Sequence, residues 1–175
     1  MTYLSRIELN RYRVETRRAL TSPQVMHAAV MSSFPCLGQD VSERVLWRVD
    51  SIGPSTYVLV QSPVKPDFSH MIDQFGWPLS EQKWDSIEYD GFLGKISNGQ
   101  VLRFRLVANP VRKITEDGKK MVVAHVTAAQ QKAWLISRCE RNGFVIPERE
   151  GEPAFDITSR DLVEFKRENR KVTLQ

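Results

Sequence analysis

VLRFRLVANPVRK, residues 101–113, alternates from its first position. Leu102, Phe104, Leu106 and Ala108 fall on one side; Arg103 and Arg105 fall on the other. Period-two alternation predicts a half-buried β-strand over 101–107, with its apolar side on a core and two guanidiniums on the opposite face. Asn109-Pro110 stops it, because proline cannot donate to a ladder and forces its predecessor to be extended. Arg112, Lys113, Lys119 and Lys120 follow, against Glu116 and Asp117. A basic strand running into a basic loop fits a phosphate-binding surface. Taken alone, the same residues also make an ordinary solvated strand face.

Working outward, residues 3–9 alternate and predict a first strand. Residues 10–20 are basic without a clean period and predict a loop with one helical turn at most. Ser22-Pro23 opens a helix: serine is a preferred N-cap, and proline fits the first helical position. Val25, Met26, Ala29 and Val30 form its apolar stripe. Residues 44–51 and 56–62 read as a hairpin around Gly53-Pro54-Ser55. Residues 67–74 suit a short helix, and residues 75–99 show no assignable period. The strand at 101–107 then completes the order strand, helix, strand, strand, helix, strand. That is the split βαβ, ferredoxin-like arrangement, an α+β fold. The expected first domain spans residues 1–113.

Residues 114–175 open a second such unit. Thr127 with Gln130 makes a capping box, Ala129, Ala133, Ile136 and Cys139 form the expected buried stripe, and Gly143 fits a left-handed cap. Short strands are expected at 144–146 and 155–158. A hairpin with a basic tip is expected around Glu168-Asn169-Arg170. The closing helix and strand are missing, and the chain stops inside a predicted strand, as if the natural protein were longer. An open sheet edge there would invite another chain.

The chain has 175 residues, 41% hydrophobic and 26% charged, with net charge +4. These are values of a soluble globular protein with a mild preference for polyanions. The basic residues gather at residues 1–27 and 160–175, while residues 67–90 are acidic. Cys36 and Cys139 are too few for a disulfide framework. His27, His70 and His125 stand apart, so no metal-ligand spacing exists. No signal peptide or membrane-length apolar run is present. A cytoplasmic location without membrane association is the expectation.

His27 is the titratable residue of interest. It points more than a right angle away from its helix's apolar stripe, which predicts an exposed ring. A single histidine on a helix is ordinarily a surface residue. Beside arginines and a phosphate, however, it could move protons near neutral pH.

The stretches TYLSRIELN, RRALTSPQVMH, VLWRVD, YVLVQS, LRFRLVANPVRK and QKAWL resemble, in this order, the CRISPR-associated CasE endoribonucleases of type I-E Cascade. The resemblance covers nearly the whole chain. It implies tandem ferredoxin-like, RRM-like folds, the second one incomplete here. It implies a prokaryotic enzyme that binds the stem-loop of CRISPR repeat RNA and cuts precursor crRNA by 2′-hydroxyl attack, without metal or other cofactor. The enzyme would then stay with its product among the other Cascade subunits. By position, His27 matches the catalytic histidine and Arg17 and Arg18 a basic pair before it. Arg160, Lys166, Arg167, Arg170 and Lys171 match a basic hairpin that enters the duplex groove. Arg103, Arg105, Arg112 and Lys113 complete the expected RNA-binding set. Gln24 and Ser32 stand where some members carry Tyr and Lys, which leaves arginines to assist His27. Two other readings remain open on the sequence: a non-catalytic RNA-binding subunit using the same basic sheet, and an interaction domain that meets an acidic protein.

Overall fold

The computed structural model describes residues 1–35, 44–77, 84–116 and 118–160, and the backbone of 163–167 and 170–174. Cys36 and the predicted hairpin tip at 168–169 lie outside these. The chain divides into two compact units, Met1–Leu102 and Arg103–Gln175. This division falls ahead of the 113/114 boundary expected from the sequence.

The first unit is built on a four-stranded antiparallel sheet. Strand β1 (Tyr3–Leu9) pairs along its whole length with β3 (Ser55–Ser62), from Tyr3↔Ser62 to Leu9↔Thr56. Strand β3 pairs in turn with β2 (Leu46–Ile52). The two-residue turn between them needs a positive φ at its first central position, and Gly53 supplies it at +60°. On the other side of β1 lies β4 (Asp85–Glu88), which gives the order β2-β3-β1-β4. Helices α1 (Val14–Thr21) and α2 (Pro23–Met31) connect β1 to β2, and α3 (Ser69–Phe75) connects β3 to β4.

The ferredoxin-like order therefore stands, but its fourth strand is not the expected one. Residues 101–110 form no regular strand, and Val101 and Val107 are almost fully exposed. Alternation makes a segment able to enter a sheet; it does not reserve a place there. The place beside β1 is taken by DSIE, a short polar strand with no apolar alternation to announce it. Ser86 meets Ser5, Oγ to Oγ at 2.9 Å, and Arg6 donates to Asp85 at 2.6 Å. Residues 10–20 also depart from expectation, since most of them form α1. There Thr16 turns inward and donates to the Phe75 carbonyl at 3.2 Å. A buried polar residue of this kind breaks the apolar period that marks a helix.

One face of the sheet carries the core. Ile7, Leu9, Val58 and Val60 meet Ala19, Met26, Val30, Phe68 and Met71 from the helices, all 2% exposed or less. Burying each larger side chain favours folding by about 1.5–3 kcal/mol. Helix α3 ends at Gly76, whose N–H bonds the Ile72 carbonyl at 2.8 Å. A Cβ there would lie 2.8 Å from that same oxygen, so the close approach requires glycine. A one-turn helix α4 (Asp90–Leu93) follows β4.

The second unit contains separate pieces. Strands β5 (Val111–Glu116) and β6 (Lys119–Ala124) form a hairpin. Helix α5 (Ala128–Cys139) starts at the expected capping box: Thr127 accepts from the Gln130 N–H at 3.2 Å, and Gln130 accepts from the Thr127 N–H at 3.3 Å. Of the expected stripe only Cys139 is buried; Gln131 and Leu135 join it, while Ala129 and Ala133 are exposed and Ile136 is 44% exposed. Gly143, at φ +73°, ends the following 3₁₀ turn, and Phe144 bonds back to the Cys139 carbonyl as a left-handed cap requires. The strands expected at 144–146 and 155–158 do not form. A two-residue hairpin, β7 (Glu148–Arg149) with β8 (Glu152–Pro153), stands between them. Strands β9 (Val163–Arg167) and β10 (Arg170–Leu174) pair as the predicted hairpin, from Arg170↔Arg167 to Leu174↔Val163. Among the described residues no helix is long and apolar enough to cross a membrane.

Candidate active site

The candidate site begins at Ser22, which ends α1 and starts α2. Its hydroxyl accepts from the Val25 N–H at 3.5 Å, and Pro23 takes the first helical position. This fixes the rotation of α2. Met26 and Val30 then enter the core, and His27, one residue after Met26, stays exposed.

Strand β2 reaches the ring from the sheet. Trp47 pairs with buried Val60 across the ladder, so both side chains lie on the helix-covered face. Because β2 is an edge strand, the indole sits at the rim of the core. Its Nε1–H donates to His27 Nδ1 at 3.2 Å, with ring centroids 6.4 Å apart and planes 34° apart. Sequence reading missed Trp47. Its signal was available: an indole on the core-facing side of an edge strand has an N–H that must find an acceptor at the margin.

The expected assisting arginines behave differently from one another. Arg17 folds back, donating to the carbonyls of Arg11 and Tyr12 at 3.3 and 2.7 Å, and so holds the β1–α1 loop. Arg18 lies exposed on α1. Gln24 is exposed, and the Ser32 hydroxyl donates to the Ala28 carbonyl at 2.9 Å. His70 bonds the Ala29 carbonyl at 2.9 Å and joins α3 to α2, a structural role. The loop held by Arg17 presents Tyr12, 82% exposed and edge-on to Trp77 at 6.2 Å.

On the sheet face opposite the core, the arginines carry their own counter-ions. Arg6 pairs with Asp85 at 2.6 Å and Arg48 with Asp50 at 3.2 Å. The Asp85 hydrogen bond raises the Arg6 guanidinium above its ordinary value.

Arg103 and Arg105 belong to the second unit and do not share a sheet with β1, contrary to the sequence expectation. Arg112 and Lys113, on β5, line a groove of about 700 Å³ with His125, Trp134, Ser137 and Arg138. The Arg138 guanidinium lies 5.5 Å from the Trp134 ring centre. Arg160 donates to the Val126 carbonyl at 3.3 Å. For Lys166, Arg167, Arg170 and Lys171 the backbone ladder of β9 and β10 is described.

An antiparallel sheet in the order β2-β3-β1-β4 with helices on one face, and an exposed histidine on α2, defines a class: α+β proteins of ferredoxin-like fold. Comparison with known proteins narrows this. Residues 2–175 match the family model described as CRISPR associated protein. The CRISPR-associated endoribonuclease Cse3 of Thermus thermophilus is 31% identical over 168 residues, 94% of this chain and 74% of that protein. Thermus thermophilus Cse3 bound to an RNA representing a pre-cleavage complex matches with TM-score 0.75 and 29% identity, over 98% of this chain and 80% of the other. Cse3 bound to a 19 nt RNA matches with TM-score 0.76 and 30% identity, over 98% and 79% of the respective chains. The chain belongs to the CRISPR-associated protein family, as one of its endoribonucleases.

Proposed function

We propose that this endoribonuclease binds the stem-loop of a CRISPR repeat and cuts precursor crRNA at it, with His27 as the proton-transferring residue. The observation that carries the reading is the placement of His27: exposed on α2, one residue from the buried Met26, with its ring held by Trp47. A ring so placed can touch RNA while its orientation is fixed by the core. The 2′-hydroxyl attacks the adjacent phosphate, His27 exchanges a proton with the reacting oxygens, and a 2′,3′-cyclic phosphate and a 5′-hydroxyl result. This chemistry needs no metal.

Cations supply affinity by displacing counter-ions from phosphates. We assign this role to Arg18, to Arg103, Arg105, Arg112 and Lys113, and to the hairpin of Lys166, Arg167, Arg170 and Lys171. Arg17 and Arg160, turned toward backbone carbonyls, act by ordering the loops that carry their neighbours. Residues beyond the first unit form a partial second ferredoxin-like domain in this reading. The product stays bound, within the cytoplasm and among Cascade subunits. The alternative of a non-catalytic RNA binder working through the open sheet draws little support, because Arg6 and Arg48 there are already paired.

The test is labelled repeat RNA incubated with the protein in EDTA. Wild type should cut once per repeat and leave a cyclic phosphate. His27→Ala should slow the cut by about 10²–10⁴-fold, the usual contribution of general acid–base catalysis, with affinity nearly unchanged. Cleavage at the wild-type rate by His27→Ala moves the active site elsewhere.

A further inference from the structure

We infer that Trp47 is a positioning residue for His27: it selects the ring's tautomer, keeping the proton on Nε2 and presenting that N–H away from the protein. The inference rests on the catalytic reading of His27 for its consequence, but not for its geometry.

An indole nitrogen only donates; it has no lone pair in the ring plane. The histidine atom that receives its N–H at 3.2 Å must therefore be an unprotonated nitrogen, and that atom is Nδ1. In a neutral imidazole the single proton then sits on Nε2. The bond also fixes the ring about its own axis, since a flipped ring would offer carbon in place of the acceptor. His27 thus presents one N–H donor to solvent, the form that hydrogen-bonds an anionic phosphate oxygen. Trp47 is well placed for this role. It is half-buried against the core, paired in register with Val60, and anchored on a strand.

The test is nitrogen-15 NMR of the histidine rings. In wild type, the His27 signals should show the pattern of a ring protonated at Nε2. Trp47→Phe keeps most of the ring's packing and removes the N–H. It should raise the share of the Nδ1-protonated form, changing the tautomer ratio about two- to tenfold, the range that one neutral hydrogen bond sustains. Single-turnover cleavage should fall by a similar factor, with the Kd for repeat RNA unchanged. In the converse variant, His27→Ala, the Trp47 indole N–H resonance should move, which keeps the question answerable if Trp47→Phe folds poorly. A wild-type ring protonated at Nδ1, a tautomer ratio that ignores Trp47→Phe, or an indole resonance that ignores His27→Ala would overturn the inference. Should the tautomer respond as expected while His27→Ala cleaves normally, the catalytic assignment of His27 fails and Trp47's control of the ring stands.

Discussion

In the first unit, a four-stranded sheet and its helices close over Ile7, Val30, Val58, Val60, Phe68 and Met71, each fully buried. In the second, three separate two-stranded pieces and one helix enclose, among the described residues, only Gln131, Leu135 and Cys139. Under the proposed function, the difference matches two kinds of chemical work. A proton-transferring ring must be held to within about half an ångström by packed neighbours, and His27 stands on the closed core. Phosphate contacts act through charge and tolerate looser placement, and the cations of β5, β9 and β10 stand on the open unit. Stability is also uneven in such a chain, with loosely packed elements opening first.

The largest expected effect tests this division directly. His27→Ala should cost about 10²–10⁴ in cleavage rate and leave binding alone. Arg112→Ala with Lys113→Ala should do the opposite: the single-turnover rate at saturation holds, affinity falls, and the slope of log K against log salt flattens by about 0.9 per lost phosphate contact. If the pair instead abolishes the saturated rate, the second unit takes part in chemistry and the division breaks.

Next in size are the cores themselves. Phe68 is fully buried between Phe34 and Trp84, with ring centres 6.1 Å away on each side. Phe68→Ala should lower stability by about 3–5 kcal/mol, and Leu135→Ala, at the edge of a thin core, by about 2 kcal/mol. Denaturant titration of the two variants gives the comparison, and hydrogen exchange should show α5 amides opening before those of β1 and β3. Equal losses would mean that the second unit is as well packed as the first.

The same contrast explains what could be read from the sequence. Where a segment packs on the closed core, its pattern was legible: the β2–β3 turn at Gly53, the Ser22-Pro23 start of α2 and the exposed side of His27 all stand as the residues announced them. Reading failed where a partner rather than a period decides. The polar strand β4 joins the sheet through Ser86 and Asp85, and so displaces the better-looking strand at 101–107. Helix α1 hides its inner face behind Thr16. On α5 the core takes Gln131, whose amide donates to the His125 carbonyl at 2.8 Å, instead of Ile136. The site followed the same rule. His27 was visible because its own helix sets its direction, whereas Trp47 announced only an N–H in need of an acceptor, and its partner became visible once β2 and α2 were placed together.

A smaller effect separates Arg17 from Arg18. Arg18→Ala should weaken RNA binding modestly and reduce its salt dependence. Arg17→Ala should act through the β1–α1 loop, because it leaves the Arg11 and Tyr12 carbonyls without their donor. Its signature is a changed environment for Tyr12 and Trp77, read by fluorescence, at a cost of about 1 kcal/mol for the lost hydrogen bonds. Identical behaviour of the two variants would make Arg17 an RNA contact like its neighbour.

The smallest effect lies at the far side of the sheet, at Asp90. Its carboxylate accepts the Thr2 N–H at 2.9 Å, and the Met1 amino group stands 3.7 Å away. The neighbouring Tyr89 N–H bonds the Thr2 carbonyl at 2.7 Å, so the start of β1 is tied to the start of α4. Hydrogen bonds from Thr2, first from its side chain and then from its backbone, hold the Asp90 carboxyl below its ordinary value, with the amino group's charge adding to them. A carboxyl lowered in the folded state binds its proton more readily when unfolded. Its contribution is therefore complete above the ordinary aspartate range, near 3.9, and is lost as pH falls through the lower folded value. Asp90→Asn keeps an oxygen acceptor for the Thr2 N–H and removes the charge. Its melting temperature should lie slightly below wild type at pH 7, and the gap should close in acid, once the wild-type carboxyl is protonated as well. A gap that is the same at both ends would show that the Asp90 charge plays no part in holding the first strand.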